Sequence, residues 1–213
     1  MKYGESIFDI CYLVFALGVG FYLLKNNKNE VDRLMGLAAV ILGAGDACHL
    51  VPRVLNYFIA SDFMMALGVG KFVTSITMTI FYIFMYYIYL KHYKLKENKQ
   101  MTYLLYGLTC VRIILCLFPQ NHWFENEGSV TWGILRNLPF VVMGCLMVLL
   151  YYQVHTKEPI FKNIWLYILL SFLFYIPVAV GASLLPMLGM LMLPKTICYI
   201  LILVAFIKRH KVA

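Results

Sequence analysis

The sequence predicts an all-α integral membrane protein, a seven-helix transmembrane bundle forming a single domain over residues 1–213. Three observations carry that prediction. Apolar residues make up 62% of the chain and charged residues only 13%, against about 25% charged in soluble domains. Seven apolar stretches are long enough to cross about 30 Å of hydrocarbon, which takes roughly 20 residues at helical rise. The basic residues between those stretches fall in alternate loops, as a polytopic membrane protein requires.

The spans lie near residues 7–24, 34–57, 64–90, 101–118, 130–152, 163–185 and 187–207. Glu5 and Asp9 lie at the start of the first, Lys25 follows it, and no small-residue cleavage site closes it, so it reads as a retained helix and not as a signal peptide. Lys25, Lys28 and Arg33 follow span one, and Lys91, Lys94, Lys96 and Lys99 follow span three. Lys157 and Lys162 follow span five, and Lys208, Arg209 and Lys211 come after span seven. With seven crossings these twelve bases share one side, while the other side carries Lys2 and the loop of His122, Trp123, Glu125 and Glu127. The positive-inside rule then puts the N-terminus outside and the C-terminus in the cytoplasm of a cell-membrane protein.

A shift of 124 to 127 residues lays span one on five, two on six and three on seven, matching Pro52 to Pro177 and Lys71 to Lys195. That pattern predicts a parallel repeat of three plus one plus three helices. The net charge of +8 arises largely from the loop bases, so it reads as topology and not as a nucleic-acid footprint. All six cysteines lie in apolar stretches without a pairing or zinc-binding spacing, and they read as small core residues. No metal-ligand cluster, phosphate-binding glycine loop or cofactor motif is present in the sequence.

Five bases remain inside the spans: Arg53, Lys71, Arg112, Arg136 and Lys195. A charged group at membrane depth is costly and faces a bundle interior or a watery cavity. Counted from the helix ends on the outer side, all five fall in one layer about 8 to 12 Å deep. No such layer exists in the inner half of the spans. Snorkelling to the outer headgroups accounts for single members of such a layer, Arg53 above all, whereas all five together predict a cationic pocket open to the outer side.

Span two adds Asp46, His49 and Arg53, spaced three and four apart and therefore on one helical face. Asp46 reads as an ion-pair partner for Lys71 or Lys195, and His49 either as a pH-sensitive member of the same site or, more commonly for such a residue, as a hydrogen-bonded interior group. Ser75 lies one turn from Lys71, Asn137 beside Arg136, and Tyr199 one turn from Lys195. Hydroxyls and amides so placed either contact ligand oxygens or bridge helices.

The stretch Gly45-Asp46-Ala47-Cys48-His49-Leu50-Val51-Pro52-Arg53 resembles the Gly-Asp motif of the bacterial YhhN family of lysoplasmalogenases, with Gly70 to Tyr82 loosely echoing a second motif. The resemblance implies a membrane-embedded hydrolase of vinyl ether lysolipids. This chain has seven spans where that family is drawn with eight, and it lacks the second Ser-Asp motif and the His before the second-motif Tyr. The resemblance therefore carries over Asp46 alone.

Three classes follow. The first is a transporter or ligand-binding protein for a small organic anion or anionic lipid headgroup, in which Arg53, Arg112 and Arg136 grip carboxylate or phosphate oxygens and Lys71 and Lys195 add point charge. The second is the lysolipid hydrolase, with Asp46 and His49 as acid and base. The third is a structural scaffold held by ion pairs. Membrane lipids are partners in all three. Cysteines placed at Asn121 and at Lys96 in a cysteine-free background test the topology: the first should react with an impermeant maleimide on intact cells and the second only after permeabilisation, and equal or reversed labelling contradicts it.

Overall fold

A computed structural model describes residues 2–59, 63–125, 129–181 and 185–212; the side chain of Pro186 is outside this description. The described residues form seven long helices: α1 (Lys2–Lys25), α2 (Glu30–Phe58), α3 (Met64–His92), α4 (Lys99–Leu117), α5 (Val130–Val154), α6 (Ile164–Gly181) and α7 (Met192–Val212). Short 3₁₀ turns at Pro119–Asn121 and Pro186–Leu191 precede α5 and α7, and no strand is present among the described residues. All seven helices are long and apolar enough to cross a membrane, the last counted from Met187. Only helices or closed barrels satisfy every backbone group in lipid, so this composition has few other solutions.

Two boundaries differ from the sequence reading. α1 begins at Lys2, because Glu5 in its first turn favours the helix dipole and is neutralised by Arg53 across the interface with α2. The segment before α7 folds as the 3₁₀ turn over Pro186–Leu191, and Pro194 then sits in the first turn of α7, where its missing N–H costs nothing. The described part of α6 runs to Gly181, and residues 182–184 of the predicted sixth span lie outside the described residues.

The helices pack in succession, α1 on α2, α2 on α3 and onward to α7, and α7 returns to α1 to close the ring. α3 also reaches α5 across it, and α2 reaches α7. The end where α1, α3, α5 and α7 begin is termed the upper end. At the lower end, charged groups tie the helices together. Asp32 is fully buried and takes Arg209 on one oxygen and, at 2.9 Å, His210 on the other, which fastens α7 to the start of α2. Asn29 caps α2 by accepting from the Asp32 N–H at 3.0 Å and also accepts from Arg209. His92 meets Glu158, and Lys91 meets Glu30 at 3.0 Å.

Between the two ends lies a dense aromatic layer. The ring of Tyr82 meets Phe140 at 5.2 Å and Phe172 at 5.6 Å, Phe81 meets Tyr199 at 5.8 Å, and the hydroxyls of Tyr82 and Tyr199 lie 3.4 Å apart. Such edge-on pairs fill volume without leaving polar atoms alone. The cysteine expectation is corrected here. Cys116 and Cys198 are buried, but Cys11, Cys48, Cys110 and Cys145 are exposed on the outside of the bundle, where the apolar thiol meets hydrocarbon as readily as it meets core.

α2 and α3 approach so closely that two glycines are required. A Cβ on Gly45 would run into the Thr77 side chain, and one on Gly70 would run into the carbonyl of Cys48 and lie 2.7 Å from Cα of His49. The second contact is between backbones, which cannot step aside, and it sets His49 beside the turn that carries Lys71. Gly70→Ala should therefore force the helices apart at a cost of about 1–3 kcal/mol, a fall in melting midpoint in detergent of about 2–4 °C for each kcal/mol at this chain length. An unchanged midpoint would mean that the helices do not touch there.

Candidate functional site

Above the aromatic layer the ring encloses a cavity of about 460 Å³. Five of its walls contribute a base or a titratable nitrogen: His49 from α2, Lys71 from α3, Arg112 from α4, Arg136 from α5 and Lys195 from α7. Among the described residues no Asp or Glu lines it. Lys71 stays accessible, whereas Arg112 and Lys195 are 2% and 9% exposed.

Three of the four cations rest on an aromatic face. The Arg112 guanidinium lies 3.6 Å from the ring centre of Phe140, Arg136 lies 4.0 Å from that of Trp123, and the Lys195 ammonium lies 4.8 Å from that of Tyr175. Cation–π contact is worth about 0.5–2 kcal/mol, which does not offset the several kcal/mol that desolvating an ion costs. Arg136 adds a hydrogen bond at 2.8 Å to the side-chain oxygen of Asn121. Asn121 itself is 1% exposed and donates to the carbonyls of Leu115 and Phe118, so it holds the loop after α4 over the cavity. It is thus a poor labelling position, and the exposed Glu125 serves the topology test in its place.

Arg112 is the least satisfied. Its Nε and Nη1 are buried and have no hydrogen-bond partner. Buried donors are almost always paired, and an exception calls for an explanation. The two atoms lie on different edges of the guanidinium, so they are no ready-made fork, but a charged group with unpaired donors at a cavity wall is one that an anion's oxygens would stabilise.

A smaller cavity of about 50 Å³ adjoins the first and shares His49, Thr74, Met192 and Lys195 with it. It holds the acids. Asp9 from α1 and Asp46 from α2 line it, as do Glu5, Arg53 and Tyr199. Arg53 pairs with Glu5, and Tyr57 stands beside both. The Asp46 carboxylate accepts a 2.6 Å hydrogen bond from the Tyr12 hydroxyl and forms no ion pair with Lys71 or Lys195. The buried Asp9 Oδ2 and His49 Nδ1 have no partner.

Of the residues singled out in the sequence, His49, Lys71, Ser75, Arg112, Arg136, Asn137 and Lys195 meet at the larger cavity, while Asp46, Arg53 and Tyr199 lie at the smaller one. The Ser75 hydroxyl is engaged with the carbonyl of Lys71 at 2.8 Å. Asn137 donates to the Gly133 carbonyl and accepts from the Tyr175 hydroxyl at 2.8 Å. Sequence reasoning missed Glu5, Asp9 and Tyr12, although their spacing of four and three places them on one face of α1. It also missed Phe140, Tyr175 and the role of Trp123, because an aromatic in an apolar helix carries no mark of the cation it will meet.

Set against protein-family models, curated proteins and solved structures, the chain matches none, and the site is read from its own residues. Replacing Arg112 by Met removes an unsatisfied buried charge and keeps most of the volume. Leaving a buried donor unpaired costs about 1–3 kcal/mol, partly offset by Phe140, so the empty variant should melt about 2–4 °C higher than the parent for a net gain near 1 kcal/mol. A lower midpoint would show that Arg112 is held by the fold itself.

Proposed function

We propose that this multi-pass membrane protein binds an organic anion of at least two negative charges in the larger cavity, as a carrier open to the outer side with its N-terminus outside and its C-terminus in the cytoplasm. The observation that supports this reading is the imbalance of charge: Lys71, Arg112, Arg136 and Lys195 line one cavity that no described Asp or Glu lines, and only Lys195 has an acid nearby, Asp46 in the adjoining cavity. Clustered cations repel one another and lose hydration, so an arriving polyanion removes both penalties together. Selection of such a site for stability alone has no physical basis, because apolar residues of the same volume would serve better.

The carrier reading draws on the layout of the helices. The cavity opens near the upper end and is closed beneath by the layer of Tyr82, Phe140, Phe172 and Tyr199. Pro139 and Pro177 lie inside α5 and α6, where each removes a backbone hydrogen bond and supplies a point of bending. The three-plus-one-plus-three repeat is consistent with the consecutive packing of α1 to α3 and of α5 to α7 around α4. Rocking of one triplet against the other would expose the cavity below.

A hydrolase is the second reading, and it draws on Asp46 and His49 both lining the smaller cavity beside Lys195. One pair of measurements separates the two. An anion at 100 times its dissociation constant stabilises the fold by about 2.7 kcal/mol, so phosphate esters and di- and tricarboxylates should raise the midpoint of the wild type and leave Arg112→Met unmoved. Asp46→Asn should keep or strengthen that response. Cleavage of a lysoplasmalogen by wild type, lost by about 10² to 10⁴ in Asp46→Asn with binding unchanged, would instead establish the hydrolase.

A further inference from the structure

The larger cavity is separated from the outer surface of α5 and α6 by a thin wall. An apolar groove of about 220 Å³ runs between α5 and α6, walled by Ile134, Leu138, Val141, Ile176 and Val180. Ile134, Leu138, Ile176 and Val180 are exposed on the outside of the bundle. The groove shares Asn137, Tyr175 and Ala179 with the cationic cavity. Its two polar side chains are Asn137 and Tyr175, and these are hydrogen-bonded to each other at 2.8 Å. The boundary between a cavity of four cations and a wholly aliphatic surface is therefore one hydrogen-bonded pair and the small Ala179.

We infer that the anion held by the cavity is a lipid headgroup of the phosphate monoester type, with its hydrocarbon chain lying in the groove between α5 and α6. This rests on the reading of the cavity as an anion site and adds the substrate class. A water-soluble anion would gain nothing from an aliphatic groove that adjoins its site, whereas an amphiphile fills both with matching chemistry. The headgroup carries no cationic substituent. An ammonium or choline would need a carboxylate or a free aromatic face, and the cavity offers no acid among the described residues. The faces of Phe140, Trp123 and Tyr175 are already taken by Arg112, Arg136 and Lys195. Zwitterionic lipids are therefore disfavoured by charge, and a doubly charged phosphate monoester suits a cavity lined by Lys71, Arg112, Arg136 and Lys195.

The experiment compares dioctanoyl phosphatidic acid, dioctanoyl phosphatidylcholine and glycerol 3-phosphate on the purified protein in detergent, with wild type and Val180→Trp, in which the larger side chain fills the groove at a position that does not line the cavity. Burial of hydrocarbon should let wild type bind the phosphatidic acid at least about tenfold more tightly than glycerol 3-phosphate, with no measurable binding of phosphatidylcholine. Val180→Trp should lose about that tenfold for the lipid and leave glycerol 3-phosphate within about twofold. Equal binding of lipid and glycerol 3-phosphate, or of the two lipids, overturns the inference and leaves the anion site standing. Binding of no phosphate compound overturns the inference, and the anion site falls with it when di- and tricarboxylates also leave the melting midpoint unmoved. Should Val180→Trp fail to fold, a phosphatidic acid carrying a mid-chain diazirine decides the matter on wild type: labelling of residues 134–141 and 176–180 is the expected result, and labelling confined to other helices overturns the groove.

Discussion

A charged side chain cannot remain in hydrocarbon without a partner, and this constraint shapes the bundle more than any single contact. It turns Glu5, Asp9, Asp46, Arg53, Arg112, Arg136 and Lys195 toward cavities or into interfaces, and those interfaces set how the seven helices face one another. The solutions differ between the two sides of the upper end. Where α1 meets α2, Arg53 has Glu5 and the Asp46 carboxylate has the Tyr12 hydroxyl. Where α3, α4, α5 and α7 meet, Arg112, Arg136 and Lys195 lie on aromatic faces beside a cavity, and Arg136 adds the hydrogen bond to Asn121.

That asymmetry separates structure from function within one layer of charge. On α1 and α2 the Glu5–Arg53 pair and the Tyr12–Asp46 hydrogen bond are satisfied by the fold, whereas Asp9 Oδ2 and His49 Nδ1 are not. On the proposed reading, the under-paired bases of the other helices are what a ligand would stabilise, and the groove between α5 and α6 adjoins them. The glycine contact between α2 and α3 joins the two halves, because Gly70 against Cys48 and His49 puts the acid-rich cavity next to the base-rich one. His49 and Lys195 stand on the shared wall, so a change of charge on one side is felt on the other.

The lower end follows a different rule. There Asp32 collects Arg209, His210 and the backbone of Lys28, and His92 meets Glu158. His92 Nδ1 alone among these groups stays buried without a partner, and the open cavity of about 530 Å³ at this end is lined by the loop and terminal bases Lys25, Lys28, His210 and Lys211 and not by bases from within the helices' apolar stretches. The bundle is thus tied by ion pairs at the lower end and left with under-paired bases at the upper.

Composition, span length and the alternation of loop bases determined the seven helices, because lipid permits few structures and 20-residue apolar runs have one use in it. The depth of Lys71, Arg112, Arg136 and Lys195 was legible for the same reason: a base counted in residues from a helix end has a height in the membrane before any packing is known. Height is not azimuth. Only the packing decided that four of the five face one cavity while Arg53 turns to Glu5, that Asp46 bonds to Tyr12 and not to a lysine, and that α5 and α6 part to make a groove. Those outcomes depend on rotation about each helix axis and on which helices touch, and hydropathy along a single helix that is apolar almost all round says little about either.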